Sequence, residues 1–98
     1  MPRTARASLG GVCYHAMNRG NARAAVFHSE GDYAAFRRLI AEACERVPMR
    51  ILAYCLMPNH FHVALWPIGD GHLGRWMQWL LTCHVRRYHH CYGTSGHV

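Results

Sequence analysis

Apolar residues recur in the first half of the chain at the spacing of one helical face. Ser29 with Asp32 resembles a capping box, which places an acidic side chain in the first turn. The apolar positions that follow the i, i+3, i+4, i+7 rule are Phe36, Leu39, Ile40, Ala43, Cys44 and Val47. Charged residues occupy the opposite face, and Pro48 cannot continue a helix. The pattern therefore predicts an amphipathic helix that begins near residue 29 and ends before Pro48.

Three other segments have the composition of β-strands. Residues 12–20 predict a short strand that runs into a turn, because Asn and Gly tolerate positive φ. Residues 50–57 are apolar on both faces, which is typical of a strand inside a sheet. Pro58 and Asn59 are a turn signal, and residues 60–66 then alternate as a further strand. We expect the last two strands to form a hairpin.

A second amphipathic helix is predicted from His72 onward. Its apolar stripe consists of Leu73, Trp76, Met77, Leu80 and His84. Trp76 falls on this stripe, so we assign it to the core. Residues 92–96 (Tyr-Gly-Thr-Ser-Gly) end the helix.

The predicted order is β-α-β-β-α, which is the beginning of a split βαβ, ferredoxin-like α+β sandwich. A right-handed crossover makes the first two strands parallel and places the third between them, antiparallel to both. Both helices then cover one face of an antiparallel or mixed sheet. We interpret residues 1–98 as a single, incomplete domain that lacks the final strand.

The charge of the chain favours a polyanionic partner. The formal net charge is +6, and all eleven basic residues are arginine. Arginine suits phosphate geometry and stacks on bases, so a nucleic-acid partner is plausible. A solvated arginine-rich surface without such a partner is the alternative. The candidate phosphate contacts are Arg19, Arg23, Arg75, Arg86 and Arg87.

Cysteine usage and hydropathy point to the cytoplasm and away from membranes. The five cysteines are an odd number without a C-x-x-C pair, which predicts free thiols rather than disulfides or a cysteine zinc site. No apolar run approaches the length of a membrane span, and the N-terminal segment does not resemble a signal peptide.

Two histidines interrupt the last predicted strand. His60 and His62 share one face of that strand with Ala64 and Trp66, because strand side chains alternate. Two imidazoles side by side on rigid backbone can bind a metal, although two nitrogens are too few for a closed site. The alternative is that both are outward polar residues of a half-exposed strand.

Four segments together resemble a known family. They are YHAMNRGN, DYAAF, AYCLMPNHFH and LGRWMQWLLTCHVRRYHHCYGTSGHV. In this order they are similar to the REP-associated tyrosine transposases, which are insertion-sequence-200-like members of the HUH endonuclease superfamily. The similarity extends over nearly all of the chain after residue 10.

The resemblance implies a function and a metal site. Members of this family cut and rejoin hairpin-bearing single-stranded DNA, commonly as homodimers, through a 5′-phosphotyrosine. By resemblance, His60 and His62 bind the divalent metal, Mg²⁺ or Mn²⁺, that polarises the scissile phosphate. Imidazole ligands favour Mn²⁺ chemically, since Mg²⁺ prefers oxygen.

The chain departs from the family pattern at the nucleophile. The family's catalytic tyrosine lies on a later helix for which these 98 residues contain no matching segment. Tyr88 and Tyr92 precede that position, and we interpret both as structural. His15 matches a Tyr-His pair on the family's first strand, and we expect a structural role for it. The alternative functions are a non-catalytic nucleic-acid-binding module and an inactive transposase remnant.

Overall fold

The computed structural model describes residues 10–19 and 25–93 of the chain. The predictions for Arg23 and for the segment 94–96 lie outside the described residues. In chain order the elements are β1 (Tyr14–Arg19), α1 (Glu30–Arg46), β2 (Met49–Met57), β3 (His60–Pro67) and α2 (His72–Tyr92). The predicted β-α-β-β-α order is confirmed.

The three strands form one sheet in the order β1-β3-β2. β3 is antiparallel to both neighbours, so β1 and β2 run parallel to each other with the histidine-bearing strand between them. The predicted arrangement of strands is therefore confirmed. Every neighbouring pair is antiparallel, so the described sheet is antiparallel and not mixed.

The burial expected of residues 50–57 as a strand inside a sheet is wrong, whereas their edge position agrees with the predicted strand order. β2 pairs only with β3 among the described strands, and its apolar side chains Leu52 and Tyr54 are half exposed. The β2–β3 register also shifts between Ile51 and Ala53. β2 is therefore an edge strand with a bulge, and some of its apolar side chains face solvent.

The first helix has the boundaries that its local sequence predicts. The Ser29 side chain accepts a hydrogen bond from the Asp32 N–H at 3.3 Å, which satisfies one of the first-turn donors. At the other end, Val47 adopts an extended conformation and Pro48 follows. The buried apolar stripe includes Phe36, Ile40 and Ala43, as predicted.

The second helix also agrees with its predicted limits and stripe. Its buried residues are Trp76, Leu80 and His84. Gly93 closes it at φ 66°, in the left-handed region that favours glycine, and its N–H donates to the carbonyl of His89.

The core lies between the helices and one face of the sheet. Phe61, Val63 and Leu65 of β3 are almost completely buried and form one cluster with Phe36 of α1 and Trp76 of α2. Both helices thus cover the same face, which confirms the predicted sandwich and leaves the other face of the described sheet without a helical layer. All five cysteines are free thiols. Neither α1 nor α2 combines the length and apolar character that crossing a bilayer requires.

Candidate metal centre on the open sheet face

His60 and His62 lie on the face of β3 that the helices do not cover. The intervening Phe61 and the following Val63 are buried, whereas both histidines are partly exposed. The two imidazole ring centroids are 5.0 Å apart, and the rings are nearly perpendicular. The predicted geometry, two imidazoles side by side on one face, is confirmed.

The turn before β3 orients the first of these rings. Nδ1 of His60 lies 2.6 Å from Oδ1 of Asn59. An amide oxygen can only accept, so His60 Nδ1 carries the proton and donates it. The lone pair of the neutral ring is therefore on Nε2, the nitrogen that would bind a metal.

That turn is itself held in place by backbone hydrogen bonds. The carbonyl of Pro58 accepts from the N–H groups of Val26 and Phe27, at 2.7 and 3.1 Å. Phe27 is buried in the core, so the turn is tied to the segment that precedes α1. Asn59 consequently presents its amide to His60 from a fixed backbone.

His15 of β1 orients the second ring. It lies opposite Ala64 in the β1–β3 register and stacks on His62 with 5.1 Å between ring centroids. Nε2 of His15 is 3.0 Å from Nδ1 of His62, so one of these nitrogens donates and the other accepts. When His62 Nδ1 donates, the lone pair of His62 is on Nε2, as in His60.

The arrangement offers two imidazole nitrogens as candidate metal ligands and not three. His15 directs its Nε2 at Nδ1 of His62. Within residues 10–19 and 25–93, no group of three or more His, Cys, Asp or Glu side chains is placed to hold a metal ion. The chemistry of the pair therefore fits an open coordination sphere, completed by ligands from elsewhere.

Among the candidate DNA-binding arginines that the structure describes, only Arg19 lies next to this pair, through its backbone. Arg19 ends β1 and pairs through its backbone with His60. Arg75 and Arg86 are exposed on α2, in the helical layer on the other side of the sheet. Arg87 forms an ion pair with Asp32 at 2.9 Å. The DNA-binding role of these residues stays a prediction.

The comparison with protein families decides the affiliation of the chain. The family model described as "Transposase IS200 like" matches residues 8–96. The chain belongs to the IS200-like transposase family.

Two solved structures share the fold. A proposed transposase from Deinococcus radiodurans R1 is 16% identical with a TM-score of 0.68, over 84% of this chain and 62% of that protein. A REP-associated tyrosine transposase bound to a REP hairpin is 21% identical with a TM-score of 0.65, over 91% of this chain and 51% of that protein. This IS200-like chain thus spans between half and two thirds of the length of each. No curated protein is significantly similar in sequence.

A buried carboxylate joins the two helices of this IS200-like chain, and sequence reasoning missed it. Asp32 is 3% exposed and accepts hydrogen bonds from the His28 N–H, the Tyr92 hydroxyl and the Arg87 guanidinium. Burial by itself would raise the pKa of Asp32, but these donors outweigh it and hold the pKa at about 2. The capping pattern located Asp32, whereas its partners on α2 are 55 and 60 residues away and leave no local signal.

Both tyrosines at the end of α2 have partners in the helical layer. The Tyr92 hydroxyl donates to Asp32, and that hydrogen bond raises the pKa of the phenol. The Tyr88 hydroxyl is 2.9 Å from Nε2 of His28. Because α2 packs on the covered face of the sheet, the sheet lies between α2 and the face that carries His60 and His62.

Proposed function

We propose that this chain is the metal- and DNA-binding part of a tyrosine transposase of the HUH class. In this proposal His60 and His62 hold one divalent ion, Mg²⁺ or Mn²⁺, on the open face of the sheet. The observation that carries it is the pairing of two adjacent imidazoles whose Nδ1 atoms both face hydrogen-bond partners. Outward polar residues of a half-exposed strand would not need matched partners behind them.

The residues of the chain hold and orient such an ion. Asn59 accepts the Nδ1 proton of His60, which leaves a lone pair on Nε2 of that ring, and His15 can accept the Nδ1 proton of His62 to the same effect. Metal-binding histidines are usually oriented by such a hydrogen bond from the other ring nitrogen. Two imidazoles tilt the preference towards Mn²⁺, because Mg²⁺ favours oxygen ligands. A bound divalent ion would withdraw charge from a scissile phosphate and orient it.

The proposed substrate is single-stranded DNA that carries a hairpin. The net charge of +6 supports a polyanionic ligand. The similar REP-associated tyrosine transposase was solved bound to a REP hairpin, which supports this class of DNA. The strands β1, β2 and β3 contain no acidic residue. They therefore offer no carboxylate that would repel phosphate.

The proposal assigns the nucleophile to neither Tyr88 nor Tyr92. A phenol is activated by a lowered pKa or an adjacent base, whereas the pKa of Tyr92 is raised. Both hydroxyls also face the helical layer. A tyrosine on another segment, or on the second subunit of a homodimer, would attack the phosphate to form the 5′-phosphotyrosine. Without it, this chain is a binding module.

Metal binding tests the proposal directly. Titration with Mn²⁺, followed by electron paramagnetic resonance, should give one bound ion per chain. His60→Ala and His62→Ala should each weaken binding by more than about a hundredfold, the upper range for loss of a supporting residue. His90→Ala is the matched control, since His90 is an exposed histidine at the far end of α2. Unchanged Mn²⁺ affinity in both strand variants would overturn the proposal.

A further inference from the structure

An exposed tryptophan stands on the open sheet face beyond the histidine pair. Trp66 is 37% exposed and follows His60, His62 and Ala64 on the same face of β3. Its neighbours in the sequence, Leu65 and Pro67, are buried. The indole ring is therefore not part of the core. It lies on the side of the described sheet that has no helical layer.

Arg50 accompanies this ring. Arg50 lies directly opposite Trp66 in the β2–β3 register, and its Cζ is 5.6 Å from the ring centroid. Among the described residues Arg50 makes no ion pair with a carboxylate. The guanidinium contacts the Trp66 ring instead. Such a contact is weak at exposed sites, so the guanidinium can exchange it for a phosphate at small cost.

The surface between the histidines and the tryptophan is formed by small side chains on its β2 side. The row that separates them contains Ala64 of β3, its β2 partner Ala53 and its β1 partner His15, whose ring stacks on His62. Trp66 is four residues beyond His62, which corresponds to about 13 Å along a strand. A single strand with a phosphate at the histidine pair would reach the indole ring within a few nucleotides.

We propose that Trp66 and Arg50 form a stacking subsite for an unpaired base of single-stranded DNA. The base stacks on the Trp66 ring, and Arg50 moves from the ring to the adjacent phosphate. Base–aromatic stacking tolerates every base, so the subsite orients the strand without reading its sequence. This inference rests on the proposed DNA-binding function and adds a second anchor to the histidine pair.

A second arginine–tryptophan pair supplies a matched control. Arg46 of α1 lies over the ring of Trp79 of α2, with its Cζ 4.9 Å from the centroid. This pair has the same chemistry but belongs to the helical layer. Any effect of removing a tryptophan or an arginine in general will therefore appear in both pairs.

The test is an anisotropy titration of fluorescein-labelled oligothymidylate, which has no hairpin, in the presence of EDTA. Binding of the wild-type chain should raise the anisotropy of the label. Trp66→Leu should bind roughly five- to a hundredfold more weakly, as expected for loss of one stacked base. Arg50→Gln should reduce the slope of log affinity against log salt by about 0.7. Trp79→Leu and Arg46→Gln should keep wild-type affinity and slope, and thermal melts followed by circular dichroism should show that all four variants fold.

Equal affinity of Trp66→Leu and the wild type would overturn the inference, as would equal losses in Trp66→Leu and Trp79→Leu. Absence of oligothymidylate binding by the wild type would overturn it too. The Mn²⁺ titration without DNA reports on the histidine pair separately. Metal binding with no effect of Trp66 would leave the proposed function standing and remove only the stacking subsite.

Discussion

His15 stacks on His62 across the β1–β3 pair, with Nε2 of the first 3.0 Å from Nδ1 of the second. This contact joins residues 47 positions apart through the register of two strands. It gives a proposed metal ligand a hydrogen-bond partner that holds the orientation of its ring. Its consequences are measurable in the free chain, before any DNA is added.

Replacing His15 should weaken metal binding without removing a ligand. His15→Phe keeps a ring to stack on His62 but offers no nitrogen for a hydrogen bond with Nδ1 of His62. We expect Mn²⁺ affinity to fall by about ten- to a hundredfold, less than on loss of His62 itself. Isothermal titration of both variants provides the comparison. An affinity of His15→Phe equal to that of the wild type would show that the contact does not orient the ligand.

Salt should control DNA binding. With eleven arginines and a net charge of +6, affinity for a single-stranded hairpin should fall steeply as salt is raised. We expect single-stranded hairpin DNA to bind more tightly than a duplex of the same sequence. Gel shifts across a salt series measure both effects. Equal affinity for the two DNAs, or no binding at low salt, would contradict this expectation.

Removing the buried carboxylate should destabilise the fold. Asp32→Asn keeps the size of the side chain but leaves the Arg87 guanidinium without its counter-charge. We expect a loss of about 2 kcal/mol in the free energy of unfolding, discounted because Arg87 is partly exposed, and a Tm lower by roughly 10 °C. Glu42→Gln, at an exposed position of the same helix, should change stability by less than about 0.5 kcal/mol. A similar Tm for both variants would show that the Asp32 contacts contribute little.

The free energy of unfolding should decrease as the pH is lowered, in two separate pH ranges. Burial lowers the pKa of His84 to about 4, with a further lowering by Arg87 that Asp32 partly offsets. Between pH 6.5 and 4 the unfolded chain therefore binds a proton that the folded chain refuses, so stability is lost as the pH falls, by up to about 3 kcal/mol. Asp32 adds a second loss as the pH falls from 3.8 towards 2, because its folded pKa is lowered.

Urea unfolding at a series of pH values separates these contributions. His84→Phe should flatten the loss between pH 6.5 and 4, since an aromatic ring can still pack beside Phe27 and Phe36. The exposed control His90→Ala should keep the wild-type slope. The assignment fails if His84→Phe loses as much stability as the wild type over that range.

The chain by itself should form no covalent adduct with DNA. Strand transfer needs a nucleophile aligned close to phosphorus, whereas Tyr88 and Tyr92 belong to the helix on the covered face of the sheet. Incubation with a labelled single-stranded hairpin and Mn²⁺, followed by a denaturing gel, should give free DNA only. A native gel of the same mixture should show the non-covalent complex. A retarded band on the denaturing gel that disappears in Tyr88→Phe or Tyr92→Phe would prove this prediction wrong.

Alternation within one strand was enough to predict the candidate site. Phe61, Val63 and Leu65 are apolar, so burial of their face places His60 and His62 together on the other. The helices were equally readable, since the caps and apolar stripes of both are local. Such features need no knowledge of distant contacts.

Contacts between distant segments were not readable in the same way. The Asp32–Arg87 ion pair depends on how two helices pack, and neither residue is unusual in its own helix. The His15–His62 contact depends on the register of β1 and β3, which the local sequence does not determine. The exposure of β2 was likewise misjudged, because apolar residues on both faces occur in a bulged edge strand as well as in an interior strand.

The strict alternation of β3 restricts how this site can change in evolution. Deletion of one residue inside the strand would move every residue on one side of the deletion to the opposite face. The same event would bury a histidine and expose core side chains, so the fold would be lost together with the site. Substitution leaves the alternation intact. Descendants that lose the proposed metal pair but keep the architecture must therefore arise by exchange of the outward residues. A folded relative with other side chains at positions 60 and 62 is the expected product of such an exchange.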